Sequence, residues 1–415
     1  MGKLRERRRQ ERKRRQIRQA CIGIGLFLAI CILGTIIIKA LPDREAGGTL
    51  AGNTQSDMVQ NGTEESKEPD QVSAESMQIV MVGDMLMHEK LLKSGKLDTG
   101  GYNFDHLFTN VKDFVAAADL AIVNQETIIG GSAFGYTGYP SFNTPSELVD
   151  AEVKAGFDVL LFATNHAYDK GAKGVRNCME YLESTHPDLG YVGINQSVED
   201  RENIYTYEAN GITVAILNYT YGHNGVKLPK DLKYLINELD EEKVRSDVRK
   251  AEEIADFTIV CPHWGTEFKH TTDAKQEEWT NIFLEEGVDL VLGTHPHVVE
   301  PVEWVTHENG HKMLVYYSLG NFINGTNSSG HGVTDRMIGA MADILLERNA
   351  ETGNVEIKQY DAHPVVCHIA EKTEYTVYFL KDYTEELAKQ NLALQQDSEF
   401  SKSLCESIFY QVFGE

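Results

Sequence analysis

Six cysteines in 415 residues leave little room for sulfur chemistry. Cys21 and Cys31 share one apolar stretch, and Cys178, Cys261, Cys367 and Cys405 are scattered with no Cys-x-x-Cys spacing, which argues against a cysteine-built zinc site. Spacing assigns no disulfide, and Cys261, inside an apolar run, reads as a small buried residue. Basic residues are also scarce once the N-terminus is passed. Of 39 Lys/Arg and 63 Asp/Glu, residues 1–39 hold eleven and two, leaving 28 against 61 and a net charge of −33 over residues 40–415. A field of that sign disfavours nucleic acid and other polyanions unless bound cations or a local cationic groove intervene.

Long hydrophobic runs are confined to one place. Residues 20–38 carry no charge for nineteen residues, about 28 Å of helix at ~1.5 Å per residue, close to the hydrocarbon thickness of a bilayer. The basic stretch before it predicts residues 1–19 as a cytoplasmic tail, 20–38 as a single-pass transmembrane anchor and the main domain as extracellular. A cleaved signal peptide is the alternative. Its apolar part runs about 7–15 residues and ends at a small-residue site, whereas Lys39 follows here with no Ala-x-Ala. Leu28-Ala29-Ile30-Cys31 is a poor lipoprotein box, since Ile30 stands where a small residue belongs. Residues 39–76, rich in Gly, Ser, Asn, Gln and Glu, lack an apolar period and read as a disordered stalk.

Beyond the stalk, apolar runs alternate with segments of helical period. Strands are expected at 77–82, 120–123, 157–163, 212–219, 257–261 and 288–292, and helices at 107–118, 145–155, 174–184, 238–255 and 274–286. This is the rhythm of an α/β fold with a buried sheet. Strands at 337–346 and 355–360, a continuation at 365–368, and helices at 383–390 and 400–413 assign residues 326–415 to completing the domain of residues 77–325.

The chemistry collects at the ends of these strands. Gly293-Thr294-His295-Pro296-His297 follows one apolar run; Asp84, Glu126, Asn165-His166 and His263 follow four others. Each has a bland reading: Asp84 as a helix cap, Glu126 as a solvated carboxylate, Asn165-His166 as a polar turn, His263 packed against Trp264, the His-x-His as surface histidines. Five coincidences at one kind of position favour a site, because in open α/β sheets the ligand crevice forms beyond the carboxyl ends of the strands. Carboxylate, amide oxygen and imidazole together suit Mn, Fe or Zn, one or two divalent ions, rather than Ca or Mg. Two ions sharing a carboxylate polarise a phosphoryl group and activate water. His166 is the candidate proton donor to a leaving oxygen, with Asp169 as its orienting partner.

The motifs Val82-Gly83-Asp84-Met85-Leu86-Met87, Asn124-Gln125-Glu126, Ala163-Thr164-Asn165-His166-Ala167-Tyr168-Asp169-Lys170-Gly171, Pro262-His263-Trp264-Gly265-Thr266-Glu267, Gly293-Thr294-His295-Pro296-His297-Val298 and Tyr317-Ser318-Leu319-Gly320-Asn321-Phe322 occur in that order. Together they resemble the CapA-type family of poly-γ-glutamate capsule biosynthesis proteins, itself similar to calcineurin-like metallophosphoesterases. The resemblance implies a two-sheet sandwich flanked by helices. It implies one metal position held by Glu126, Asn165, His263 and His295, and a second held by Asp84, Glu126 and His297. Two departures bear on the second position. The larger superfamily opens with Asp-x-His, but residue 86 is Leu86, and His88 arrives two residues late; the usual second-motif Asp is here Glu126. Glu267, four residues past His263, is the candidate substitute ligand.

Two classes of function follow from the resemblance. One is an extracytoplasmic metal-dependent hydrolase or transferase acting on a phosphoester or envelope polymer; the other is a non-catalytic accessory protein that binds polymer or a membrane-bound synthase complex. The net charge of −33 requires that an anionic polymer be met through cations or a groove, for which Lys269 and His270 are the sequence candidates.

Overall fold

The computed structural model describes residues 75–325, 332–370 and 374–414. The expected tail, membrane anchor and all but the last residues of the stalk lie outside them, and among the described residues no helix is long and apolar enough to cross a membrane.

The chain lays down part of one sheet, builds a second, and returns. Strands β1 (Ser76–Leu86), β2 (Leu120–Asn124), β3 (Val159–Leu161) and β4 (Gly190–Val192) are parallel neighbours. Next come β5 (Tyr205–Ala209), β6 (Ile212–Thr220), β7 (Phe257–His263), β8 (Leu290–Leu292), β9 (Val302–Thr306) and β10 (Lys312–Tyr316), a six-stranded sheet in the order β5-β6-β7-β8-β10-β9. Then β11 (Asn321–Asn324), β12 (Ile338–Arg348), β13 (Val355–Ala370) and β14 (Glu374–Phe379) rejoin the first sheet, which runs β14-β13-β12-β1-β2-β3-β4, with β11 also pairing parallel to β1. Among the described residues, eight helices lie between strands, α1 (Glu89–Ser94), α2 (Lys112–Val115), α3 (Glu147–Ala155), α4 (Gly171–Thr185), α5 (Val198–Arg201), α6 (Glu241–Ile254), α7 (Ala274–Glu286) and α8 (Val333–Met337), and two follow β14, α9 (Glu385–Gln390) and α10 (Lys402–Phe413).

The period of two in a strand explains how the second sheet is sandwiched. Ile212, Val214, Ile216, Ile259, Cys261, Leu290, Leu292, Leu314 and Tyr316 join the core shared with the first sheet. The alternate residues Ala215, Leu217, Tyr219, Val260, Val291, Met313 and Val315 instead pack with Val244 and Val248 of α6 and Phe283 of α7. Both faces are thus buried, which is why these strands read as continuous apolar runs. Cys261 Sγ lies 3.9 Å from Met81 Sδ of β1, a direct contact between the sheets. All four described cysteines are buried and unpaired.

Local signals set the helix ends. Asp273 caps α7 through a capping box with Gln276, and Gly287 ends it at φ 99°. Gly156 ends α3 in the same left-handed way at φ 111°. The helix expected over 107–118 is instead a 3₁₀ turn, Asp105–Phe108, followed by α2. Its apolar period is real, since Leu107, Phe108, Val111 and Val115 are all buried. Between the two pieces, however, the Asn110 amide donates to Thr376 Oγ1 (3.2 Å) and the Val377 carbonyl (3.3 Å), tying the backbone to β14. Residues 365–368 are not a separate strand but the second half of β13. In α10 the buried side centres on Cys405 and Phe409.

Two glycines let strand ends approach closely enough to gather the site. A Cβ on Gly83 would lie 1.9 Å from the Gly320 carbonyl oxygen, and one on Gly293 would lie 2.0 Å from that of Tyr317. Neither backbone can yield without breaking strand pairing. Gly83→Ala and Gly293→Ala are therefore each expected to lower stability by about 3 kcal/mol or more, measured as the shift of the urea unfolding midpoint at constant slope.

Candidate metal centre

Parallel strands of both sheets end at the same place. In the first sheet the pairing of β1 with β2 shifts between Val82 and Asp84, and Asp84 then sits between Asn124 of β2 and Asn321 of β11. Glu126 follows β2, and Asn165-His166 follows β3. In the second sheet His263 is the last residue of β7, and the segment after β8 is fastened beside it: Thr294 N donates to the Pro262 carbonyl (3.0 Å) and Trp264 N to that of Thr294 (3.0 Å).

The closing histidines stand on unusual backbone. His295 has φ 102° and His297 φ 60°, conformations that cost a residue with a Cβ about 1–3 kcal/mol each. The fold holds them there. His295 N donates to Asp84 Oδ2 (3.3 Å), Asn321 Nδ2 to the His297 carbonyl (3.1 Å), and Phe268 N to the Pro296 carbonyl (2.8 Å).

The ligand atoms converge in three overlapping sets. Glu126, His263 and His295 form one, Asp84, Glu126 and His297 a second, and Glu267, His295 and His297 a third, with the candidate atoms of each set within 4.8 Å of one another. Glu126 is common to the first two. It is fully buried, and neither of its carboxylate oxygens has a hydrogen-bond donor; His295 Nδ1 is likewise buried and unpartnered. Buried oxygens without donors are costly in a folded protein. A divalent cation shared by these nitrogen and oxygen donors removes that cost, so the residues present fit the metal that the sequence implies.

The surrounding hydrogen bonds aim the ligands. His297 Nδ1 lies 3.0 Å from Asp84 Oδ2 and 3.1 Å from Asn321 Oδ1. Both partners are acceptors, so Nδ1 carries the proton and Nε2, 3.6 Å from Glu126 Oε1, is the free donor atom. His263 Nε2 lies 3.0 Å from Asn165 Oδ1 and 3.8 Å from Glu126 Oε1, while its Nδ1 meets Thr294 Oγ1 at 3.0 Å. Asn165 Nδ2 donates to Asn224 Oδ1 (3.2 Å), which turns Oδ1 toward His263. Asn124 Nδ2 donates to Asp84 Oδ1 (2.8 Å).

Electrostatics separates the imidazoles. Burial, with neighbouring His295 and His297, drives the pKa of His263 well below its usual value; burial and His297 do the same to His295, so both are held neutral as ligands must be. His297 differs: burial opposes its charge, but Glu126 and Asp84 outweigh it and raise its pKa to about 9. Burial raises the Glu126 carboxyl well above its normal range, with Asp84 and Glu267 adding to the shift and His297 opposing it. Without metal, Glu126 and His297 are thus each shifted toward the protonated form.

These residues open onto a pocket of about 370 Å³ whose lining includes Leu86, His88, Phe142, His166, His297 and Arg336. His166 Nδ1 lies 2.8 Å from Asp169 Oδ2, which also accepts from Phe142 N (2.6 Å). The Phe142 ring meets the His166 imidazole edge-on at 4.6 Å between centroids. Glu267, expected as a substitute ligand, reaches His295 and His297 from an exposed loop. His88 joins none of the ligand sets among the described residues. It precedes α1 and packs edge-on against Phe142 at 5.4 Å between centroids, with burial first and His297 second pushing its pKa down to about 4.

His270 is not a free cation of a groove. Its two ring nitrogens are taken by the Val299 carbonyl (2.7 Å) and Asp335 (2.8 Å). Asn124 and Asn321 lay inside quoted motifs, but their roles are visible only through the partners above. Nothing in the sequence marked Phe142, Asn224 or Arg336.

The His297 shift predicts a stability profile for the metal-free protein. A pKa raised from 6.5 to about 9 contributes stability that is fully present below pH 6.5 and is lost as pH rises through about 9. His263 and His295, with depressed values, act oppositely and cost stability as pH falls below 6.5. In EDTA, the difference in melting temperature between native protein and His297→Gln is expected to shrink from pH 6.5 to 9; a constant difference would contradict the assignment.

The chain is similar to two curated relatives. It is 29% identical to "Capsule biosynthesis protein CapA" of Bacillus anthracis over 60% of this chain and 60% of that protein. It is 30% identical to "PGA biosynthesis protein CapA" of Bacillus subtilis over 53% of this chain and 55% of that one. The match therefore spans little more than half the length of each relative. Among solved structures, the calcineurin-like phosphoesterase YfkN of B. subtilis is similar at 14% identity and a TM-score of 0.36, over 70% of this chain and 90% of that one. Residues 78–326, more than half of the sequence and every ligand set described above, match the bacterial capsule synthesis protein PGA_cap family, and the chain belongs to that family.

Proposed function

We propose that the protein is a metal-dependent hydrolase acting in the synthesis or export of a capsule polymer, anchored by residues 20–38 with its main domain outside the cell. The observation that carries this reading is Glu126, whose two unpartnered oxygens lie where the ligand sets of the two sheets meet. Mn, Fe or Zn, as one or two ions, suits the donor set. Held there, such ions polarise a phosphoryl or carbonyl oxygen and lower the pKa of water.

The chain's own groups supply the rest. Asp84 and Asn321 orient His297, and Thr294 holds Nδ1 of His263 with its Nε2 left beside Asn165 Oδ1 and Glu126, so the donors are in place before a substrate arrives. Asp169 fixes the tautomer of His166 by accepting from Nδ1, leaving Nε2 to give a proton to a leaving oxygen in the pocket. Phe142 holds that ring edge-on and Leu86 walls the pocket, which limits water beside it.

One observation favours a second reading, that of an accessory protein binding polymer or a membrane-bound synthase. With Leu86 in place of a histidine, the Asp84 side has Asp84, Glu126 and His297 as its ligand set among the described residues.

The test is metal analysis beside phosphodiester and γ-glutamyl hydrolysis by the purified protein. His295→Ala/His297→Ala should abolish bound metal, and equal metal content in variant and native protein would sink the metal-site reading. His166→Ala should keep the metal and lose roughly 10²–10⁴ in turnover, with Asp169→Asn losing less. Metal without turnover of either substrate would select the accessory role.

A further inference from the structure

The net charge of −33 beyond residue 39 demands a local cation if the site is to meet an anion. Lys269 is exposed on its loop, and His270 is engaged by Asp335. Arg336 of α8 remains. It lines the same pocket as His166 and His297, its guanidinium carbon lies 4.9 Å over the Phe268 ring, and its Nε is buried with no hydrogen-bond partner among the described residues.

The charge of Asp335 acts on Arg336, but no carboxylate among the described residues forms an ion pair with it. Asp335 holds His270 at 2.8 Å, Glu89 on the pocket rim holds Lys93 at 2.8 Å, and Glu267 stands with His295 and His297. The backbone beneath Arg336 is fixed, since its carbonyl accepts from Asn321 Nδ2 (3.0 Å) and Asn324 Nδ2 (3.4 Å). Asn321 also contacts His297 Nδ1, so a single amide links the arginine's position to a metal ligand. A buried guanidinium nitrogen left without an acceptor is costly, and a planar fork stacked on an aromatic face is preorganised for a carboxylate or phosphate.

We propose that Arg336, stacked on Phe268, is an oxyanion subsite beside the metal cluster, holding the carboxylate or phosphate of one repeat unit of an anionic polymer while the adjoining unit lies at Glu126. The subsite rests on this pocket being the substrate site of the proposed hydrolase. It is read by binding, which remains measurable in protein that turns nothing over.

The experiment is calorimetric titration of the protein, with and without EDTA, using a γ-linked glutamate oligomer and a short phosphodiester-linked oligomer. Arg336→Ala should weaken one of them roughly ten- to a hundredfold, with metal content and melting temperature unchanged; the oligomer that responds identifies the anion. Arg336→Lys should recover only part of the loss, since an ammonium cannot make the forked contact. If Arg336→Ala fails to fold, Arg336→Gln, which keeps much of the stem over Phe268, is read in its place. Equal affinity of variant and native protein for both oligomers, binding of neither by the native protein, or full recovery by lysine would overturn the proposal.

Discussion

The site depends on one buried carboxylate. Glu126 is withdrawn from water with no donor to either oxygen, at the point where two sheets bring their strand ends together. A carboxyl in that setting stays protonated or takes a cation. Its neighbours accommodate both states. In the absence of metal His297 is shifted toward its charged form, and His263 and His295 are kept neutral by burial and by neighbouring imidazoles. The same low-dielectric surroundings that penalise the bare carboxylate strengthen its attraction for a divalent ion.

Keeping that arrangement requires backbone that an unconstrained chain would avoid. The His-x-His segment turns through positive φ at both histidines, and Gly83 and Gly293 bring neighbouring strands closer than any side chain permits. Strand pairing on either side holds these features, since β1 is flanked by β2 and β12 along its length and by β11 at its end. The C-terminal strands thus act on the chemistry indirectly: β12, β13 and β14 extend the sheet around β1, while β11 carries Asn321, which aligns His297.

Charge is distributed with the same economy. The domain is strongly acidic, yet the pocket lining includes a guanidinium with no ion pair among the described residues. A distributed negative field disfavours polyanions, while a half-buried guanidinium can still select one correctly placed oxyanion. Selectivity of this kind resides in geometry, because the side-chain fork accepts only an oxyanion presented in its plane.

The sequence by itself determined the alternation of strands and helices and the strand ends that carry chemistry, and it named Asp84, Glu126, Asn165, His263, His295 and His297 as ligand candidates, of which the carboxylates and histidines fall together in the structure. It could do so because buried strands write continuous apolar runs and because ligand types at their carboxyl ends recur five times. It misread 107–118 as one helix, since the amide of Asn110 is drawn away by a strand more than 260 residues later. It likewise offered His270 as a cation without seeing Asp335 beside it. Only the tertiary structure decided that Asp169 meets His166 at Nδ1, that Asn321 joins His297 to the backbone of Arg336, and that Arg336 lines the pocket. Each of these is a contact between segments or side-chain rotamers that periodicity does not encode: a strand pattern fixes which face a residue occupies, whereas the partner it meets there depends on how separate strands are brought into register.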